Sequence, residues 1–211
     1  MNNYVPYEPI YVTIHREAEK TFAEQIIADC NEIITATPEQ DMFEHWDIKC
    51  VGNKQTNENY TTLYKKYYSI GFSVDVKSLK KINRNDDLYD ENIHWVELTN
   101  VRGNTGWLRG QADCFAFETK EYWVVVDKLS LQHYIAFTCD PLHQVCELKT
   151  SSPKLYKLYH RYKQDDEIIM IPTQKLKNMA LCIFEKEHYT IEEQKQHTIN
   201  TANRRLQLIN N

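Results

Sequence analysis

One short segment of the chain carries an acid and a lysine two positions apart. In GFSVDVKSL, which begins at Gly71, Asp75 and Lys77 alternate with Val74 and Val76, and this alternation predicts a β-strand. Side chains alternate between the two faces of a strand, so the carboxylate and the ammonium should lie side by side, about 6–7 Å apart along it. This arrangement suits metal-assisted phosphodiester hydrolysis, in which the acid binds Mg²⁺ and the lysine faces the attacking water or the phosphate. The alternative is a solvent-facing ion pair on an exposed strand.

Two further acids lie on segments that precede this one. Asp47 interrupts the strand-like run FEHWDIKCV, and we predict that its carboxylate lies within about 7 Å of Asp75, close enough to share a hydrated Mg²⁺. Glu19 lies on the apolar stripe of a predicted helix, with Phe22, Ala23, Ile26 and Ile27. An ionised carboxylate on that stripe is unfavourable unless it meets a cation or hydrogen-bond donors. We therefore expect Glu19 to approach the same cluster, although a position near the helix start would also suit the helix dipole.

The elements that must position these residues are a helix and a set of strands. Apolar residues at helical spacing predict one helix over residues 17–34, and runs of β-branched and aromatic residues predict strands within 43–51 and 62–76. The rest of the pattern predicts strands at 93–101, 113–118, 122–126 and 167–171, and helices at 128–137 and after Pro172. We interpret the chain as an α/β protein.

The order of these motifs resembles that of the PD-(D/E)XK nuclease superfamily, which includes archaeal Holliday-junction resolvases and small phage-encoded nucleases. A helix with A-E-x-x-F-A-x-x-I, a strand with H-W-D and a strand with D-V-K follow one another as the helix acid, the strand acid and the acid-x-lysine pair of that family. The resemblance covers roughly residues 15–130. It implies a restriction-endonuclease-like core, with a central mixed sheet of four or five strands flanked by helices.

The resemblance also implies an activity and a cofactor. It assigns metal-dependent cleavage of DNA to Glu19, Asp47, Asp75 and Lys77, with the three acids holding Mg²⁺, for which Mn²⁺ would substitute. The family more often has Glu where Asp75 stands here. A second candidate, Glu97-Leu98-Thr99, has Thr where the lysine would be required, so we prefer Asp75 and Lys77.

Candidate contacts to nucleic acid follow the acid-x-lysine strand. The formal charge of −5 counts against a simple nucleic-acid coating protein, but basic residues cluster after residue 64, so one face could be basic. Residues 102–111 hold Gly103, Gly106 and Gly110, which predicts tight or positive-φ turns. On this loop Trp107 either stacks on a base or covers the core. The residues that we expect to contact DNA are Lys80, Lys81, Arg84, Arg102, Trp107 and Arg109.

Length and composition limit the remaining possibilities. A chain of 211 residues fits a single domain, with a nuclease-like core at about 15–137 and a C-terminal extension at 138–211. No stretch approaches the roughly 20 apolar residues that span a bilayer. The six cysteines contain no C-x-x-C pair, so we expect reduced thiols and no zinc. Because no membrane-spanning stretch is present in the sequence, we expect no membrane association and a location in the cytoplasm, that of the host if the protein is viral. The partner that we expect is DNA, and the sequence is compatible with a homodimer.

Two rival functions come from other classes. One is a non-catalytic nucleic-acid-binding or inhibitory protein that retains the nuclease-like fold, which the acidic charge favours. The other is a protein–protein interaction module that uses the Tyr-rich termini.

Overall fold

A computed structural model of the chain describes residues 10–26, 30–51, 71–80, 90–145, 155–160 and 163–186. Within these ranges the helices are α1 (Ile10–Ile26), α2 (Pro38–Glu44), α3 (Lys128–Thr138) and α4 (Thr173–Asn178). The strands are β1 (Glu32–Thr35), β2 (Ile48–Val51), β3 (Phe72–Lys77), β4 (Ile93–Thr99), β5 (Cys114–Glu118), β6 (Tyr122–Asp127), β7 (Asp140–Val145), β8 (Lys157–Tyr159), β9 (Glu167–Pro172) and β10 (Ala180–Glu185). None of the helices in these ranges is long and apolar enough to cross a membrane.

The strands of the described residues form two sheets. The larger has six strands in the order β1-β2-β3-β5-β6-β10, and within it β3 and β5 pair in parallel while the other neighbours are antiparallel. The smaller has four strands in the order β4-β9-β8-β7. The chain is therefore mixed α/β, with a mixed sheet flanked by helices, as predicted. The strand count of the larger sheet exceeds the predicted four or five, because β1 and β10 extend its two edges.

The two faces of the larger sheet bury separate apolar clusters. On one face, Ala18, Phe22 and Ile26 of α1 are buried one turn apart, and the Phe22 ring meets Trp123 of β6 edge-on at 5.2 Å. On the other face, Phe115 and Phe117 of β5 belong to a cluster that also contains residues of β4, β9, α3 and α4. The larger sheet is thus the middle layer, and β3 lies in its interior between β2 and β5.

The predicted helix over residues 17–34 is only partly correct. The structure ends α1 at Ile26, and Glu32–Thr35 form β1, in which Ile33 pairs with Cys50. Ile33 and Ile34 are β-branched, so their apolar pattern fits a strand as well as a helix, and the ladder with β2 decides between the two.

The predicted strand within 43–51 is also shorter than expected. Thr37 and Gln40 form a capping box and Pro38 stands in the first turn, so α2 continues through Glu44 and β2 begins at Ile48. The strands predicted at 93–101, 113–118, 122–126 and 167–171 are confirmed as β4, β5, β6 and β9, and the two later helices as α3 and α4.

The C-terminal part of the chain contributes strands to both sheets. β9 pairs antiparallel with β4, and β10 pairs antiparallel with β6. Residues from this part, among them Leu181 and Phe184, are buried in the same cluster as Phe22. The part after residue 137 is thus joined to the earlier strands by backbone pairing and by side-chain packing.

Candidate active site at the start of strand β2

The acid and the lysine of β3 form a close ion pair. Lys77 Nζ lies 2.5 Å from Asp75 Oδ1, and the Asp75 residue is only 3 % exposed. Val74 and Val76 are buried in the cluster on the α1 side of the sheet. The prediction that Asp75 and Lys77 share one face of the strand, opposite a valine face, is confirmed.

Asp47 reaches β3 because β2 begins beside the middle of that strand. Its backbone N–H donates to Val74 O at 2.9 Å, and the ladder between the two strands starts with the pair Ile48 and Val74. Two residues further along β3, the backbone N–H of Val76 donates to Asp47 Oδ2 at 2.5 Å. The Asp47 carboxylate therefore occupies the place that a further residue of β2 would fill.

The carboxyl groups of Asp47 and Asp75 lie within hydrogen-bonding range of each other, as predicted for two acids that share a cation. With both groups ionised neither can donate, and Asp75 Oδ2 is then buried without a hydrogen-bond partner. Burial, followed by repulsion from Asp75, raises the pKa of Asp47 to about 8. Burial likewise raises the pKa of Asp75, while the Lys77 ammonium opposes that rise. The pair favours a shared proton or a bound cation.

Glu19 approaches Asp47 of this pair from helix α1. Its residue is half-buried, and burial, then repulsion from Asp47 and from Asp41, raises its pKa to about 7. Glu19 and Asp47 together line a cleft of about 360 Å³, whose other walls include Ala23, Ile33 and Ile48. The expected approach of Glu19 to the cluster is therefore shown for Asp47, while Asp75 and Lys77 do not line this cleft. Among the described residues, however, no three His, Cys, Asp or Glu side chains are arranged to hold one metal ion together.

Two polar residues near the acids, His15 and Ser78, were missed by the sequence reasoning, and both belong to one group with Lys80. His15 Nε2 lies 3.0 Å from Lys80 Nζ, and His15 Nδ1 lies 3.2 Å from Ser78 Oγ. Lys80 was considered only as a DNA contact. The signal that could have identified His15 is its position four residues before Glu19, which places both on one side of α1.

The Trp107 ring lies against the lysine of the pair. Lys77 Nζ is 4.6 Å from the Trp107 ring centroid, and the same ring meets Phe115 edge-on at 4.8 Å. Of the two alternatives for this residue, the structure shows the packing contact, while stacking on a base stays a prediction. Gly103, with φ of +76°, fits the expected positive-φ turn. Gly106 instead allows a close approach, since a Cβ there would stand 2.6 Å from Glu97 O.

The remaining basic candidates are not brought to the acids by any described contact. Arg102 is exposed, in the turn after β4. Arg109 is exposed and lines a separate cavity of about 250 Å³ with residues of α3 and the smaller sheet. Lys81 and Arg84 lie outside the described residues.

The rejected acid pair lies on another element. Glu97 belongs to β4 of the smaller sheet, and Thr99 Oγ1 donates to Glu167 Oε2 at 2.7 Å. The position two residues after Glu97 is thus used to tie β4 to β9, whereas Lys77 holds the equivalent position after Asp75.

No protein-family model, curated protein or solved structure matches this chain. What the protein does is therefore inferred from the chemistry of these side chains.

Proposed function

We propose that the chain is a Mg²⁺-dependent nuclease that hydrolyses phosphodiester bonds of DNA, on a restriction-endonuclease-like core. The observation that carries the proposal is the meeting of two buried carboxyl groups, Asp47 and Asp75, with the Lys77 ammonium 2.5 Å from one of them. Strongly perturbed acids that adjoin a lysine in a cleft are typical of functional sites.

The residues fit a magnesium ion. Mg²⁺ takes oxygen ligands and usually binds through one or two carboxylates plus water and substrate phosphate, which matches Asp47 and Asp75. Asp75 Oδ2 is buried without a partner, and an atom in that state gains from a cation beside it. A cation would also oppose the repulsion that raises the pKa values of Asp47 and Glu19. When bound, Mg²⁺ would supply Lewis-acid stabilisation of the charge that develops on the phosphate.

Lys77 assists the reaction in this proposal. One N–H of its ammonium is directed to Asp75, and an ammonium has three donors, so others remain for the attacking water or the phosphate. The Trp107 ring covers the lysine from one side and restricts its position. Lys77 orients the water and stabilises developing negative charge, and Glu19 supplies a third carboxylate at the cleft.

The direct test is cleavage of a panel of branched and linear DNAs with Mg²⁺, with Mn²⁺ and with EDTA. We expect cleavage of at least one substrate with either metal and none with EDTA, and Asp75→Asn should be inactive throughout. Binding of DNA without cleavage of any substrate would instead favour the non-catalytic binding protein. In the cell we place this activity in the cytoplasm and assign Lys80, Lys81, Arg84, Arg102 and Arg109 to contacts with the DNA backbone.

A further inference from the structure

A second polar group lies just beyond the end of β3. It consists of His15 on α1 and Ser78 and Lys80 just after β3, and we refer to these three residues as the basic triad. Lys80 Nζ and Ser78 Oγ contact the two ring nitrogens of His15, at 3.0 Å and 3.2 Å respectively. The triad therefore links helix α1 to the residues that follow the acid-x-lysine pair.

The hydrogen-bond chemistry of the triad fixes the direction of each bond. A lysine ammonium only donates, so His15 Nε2 must accept from Lys80. In a neutral imidazole the proton is then on Nδ1, which donates to Ser78 Oγ. Burial, then the charges of Lys80 and Lys77, lowers the pKa of His15 to about 4, in agreement with a neutral ring. Ser78 thus holds His15, and His15 holds the ammonium of Lys80.

Lys80 retains two N–H donors and is accessible. The residue is exposed, while Ser78 is buried and His15 is half-buried. Among the described residues Lys80 forms no ion pair, in contrast to Lys77, which is paired with Asp75. Burial, then the charge of Lys77, lowers the pKa of Lys80 to about 8, so the ammonium is still the main form at neutral pH. The Lys80 charge is therefore available to an anion at that pH.

A buried imidazole beside the triad gives a second indication of a ligand. His94 of β4 is only 4 % exposed, and its Nε2 has no hydrogen-bond partner. Burial, then the charge of Lys80, lowers the pKa of His94 to about 4, so Lys80 acts on this ring as well as on His15. A buried ring nitrogen without a hydrogen-bond partner is unusual in proteins, and a ligand or its water is a natural partner for it.

We propose that Lys80 binds a second phosphate group of the DNA substrate, next to the phosphate that is cleaved, and that His15 is a positioning residue for it. This inference rests on the proposed nuclease function. The recognised chemistry is an anionic phosphate oxygen bound by a positioned ammonium. Two kinds of phosphate group supply such an oxygen, namely an internal phosphodiester and a terminal phosphate monoester at a strand end.

The experiment compares Lys80→Met with the wild type and with Lys175→Met, a matched control at an exposed lysine of α4. Steady-state cleavage with Mg²⁺ gives KM and kcat, and binding in EDTA is measured separately as a function of salt. For Lys80→Met we expect KM to rise about tenfold with kcat nearly unchanged, because a hydrogen bond to a charged group is lost. The slope of log affinity against log salt should fall by about 1. Lys175→Met should match the wild type.

The positioning role is tested at His15. His15→Ala should raise KM in the same way as Lys80→Met, while His15→Gln should restore much of the loss, because its amide can accept from Lys80 and donate to Ser78. A merely structural role would lower the folded fraction of both variants alike and leave the salt slope unchanged.

The source of the phosphate is separated by three substrates, namely a linear strand with a 5′-phosphate, the same strand with a 5′-hydroxyl, and a closed circle. An equal effect of Lys80→Met on all three supports an internal phosphodiester, and an effect confined to the 5′-phosphorylated strand supports a terminal monoester. If the wild type cleaves DNA and Lys80→Met has the same KM and salt slope, the second phosphate site is overturned while the nuclease proposal stands. If the wild type binds DNA with a Lys80-dependent slope and never cleaves, the nuclease proposal is overturned and the phosphate site stands.

Discussion

Lys77 and Asp75 touch each other, yet the proposed chemistry gives them separable roles. Lys77→Met keeps the aliphatic stem against Trp107 and removes the charge, so β3 should stay packed and the acids should still bind Mg²⁺ or Mn²⁺. We predict that cleavage falls by at least about 100-fold, because charge stabilisation in the transition state contributes several kcal/mol. Titration calorimetry with Mn²⁺ and a cleavage assay on the same sample measure both properties.

The matched comparison is Asp75→Asn, which should lose metal affinity and cleavage together, since it removes a proposed ligand. The assignment of Lys77 would be wrong if Lys77→Met cleaved DNA at the wild-type rate. It would also be wrong if both variants lost metal binding equally, because the lysine would then be needed only to hold Asp75.

Asp47 makes the stability of the metal-free protein depend on pH. Its pKa is raised from an ordinary value near 4 to about 8 in the folded state, so the folded protein binds the proton more tightly than the unfolded chain does. This contribution to stability is fully present below about pH 4 and is lost as pH rises through about 8. We predict that the free energy of unfolding in EDTA decreases from about pH 6.5 to pH 8, by up to about 1.4 kcal/mol per pH unit for one group. This window lies above the ordinary pKa of histidine, so the lowered pKa values of His15 and His94 no longer oppose the decrease.

Asp47→Asn should weaken this dependence, because the amide does not titrate and its oxygen can still accept from Val76 N, while the raised pKa of Glu19 leaves a smaller decrease in the same direction. Urea unfolding at a series of pH values provides the measurement. A wild-type stability that rises with pH over the same range would contradict the raised pKa.

At the scale of elements, a side-chain bridge sets the register of β3 against β5. Asp113 Oδ2 accepts from both Ser73 N and Ser73 Oγ at 2.8 Å, and Asp113 N donates to Ser73 O at 3.0 Å. The bridge precedes the parallel ladder in which Asp75 pairs with Phe115. The bridge therefore helps to fix the position of Asp75 along β3 relative to Phe115 of β5.

We predict that Asp113→Ala destabilises the protein by about 1–3 kcal/mol, because the Ser73 donors lose their acceptor. Asp113→Asn should cost less, since its amide oxygen can still accept. Chemical denaturation of the three proteins measures the difference. An Asp113→Ala variant as stable as the wild type would show that backbone pairing alone holds the register.

At the scale of the molecule, the two sheets depend on strands from the C-terminal part of the chain. A fragment that ends at residue 137 lacks β9 and β10, so β4 and β6 each lose an antiparallel partner. It also lacks Leu181 and Phe184, which belong to the cluster around Phe22. We predict that this fragment does not fold cooperatively, because exposed strand edges and lost apolar burial both act against it.

Near-UV circular dichroism and thermal unfolding, with the full chain as reference, test this expectation. A fragment with a sharp unfolding transition and Mg²⁺-dependent cleavage would show that the nuclease-like core is an independent unit and that the later strands are accessory.

The sequence by itself determined the relations that depend on local periodicity. Alternation along β3 placed Asp75 and Lys77 on one face and the valines on the other. The 3.6-residue repeat of α1 set Glu19 on the side of the helix that also carries Phe22 and Ala23. These relations follow from backbone geometry within one element. They hold wherever that element is placed.

Only the tertiary structure decided the relations between distant segments. Residues 32–35 were predicted to be helical, and they form β1 because they pair with β2. The meeting of Asp47 with Asp75 depends on where β2 begins beside β3. The contact of His15 with Lys80 joins residues 65 positions apart. Local propensities cannot fix such contacts, because each arises from strand register and helix packing that the whole chain sets together.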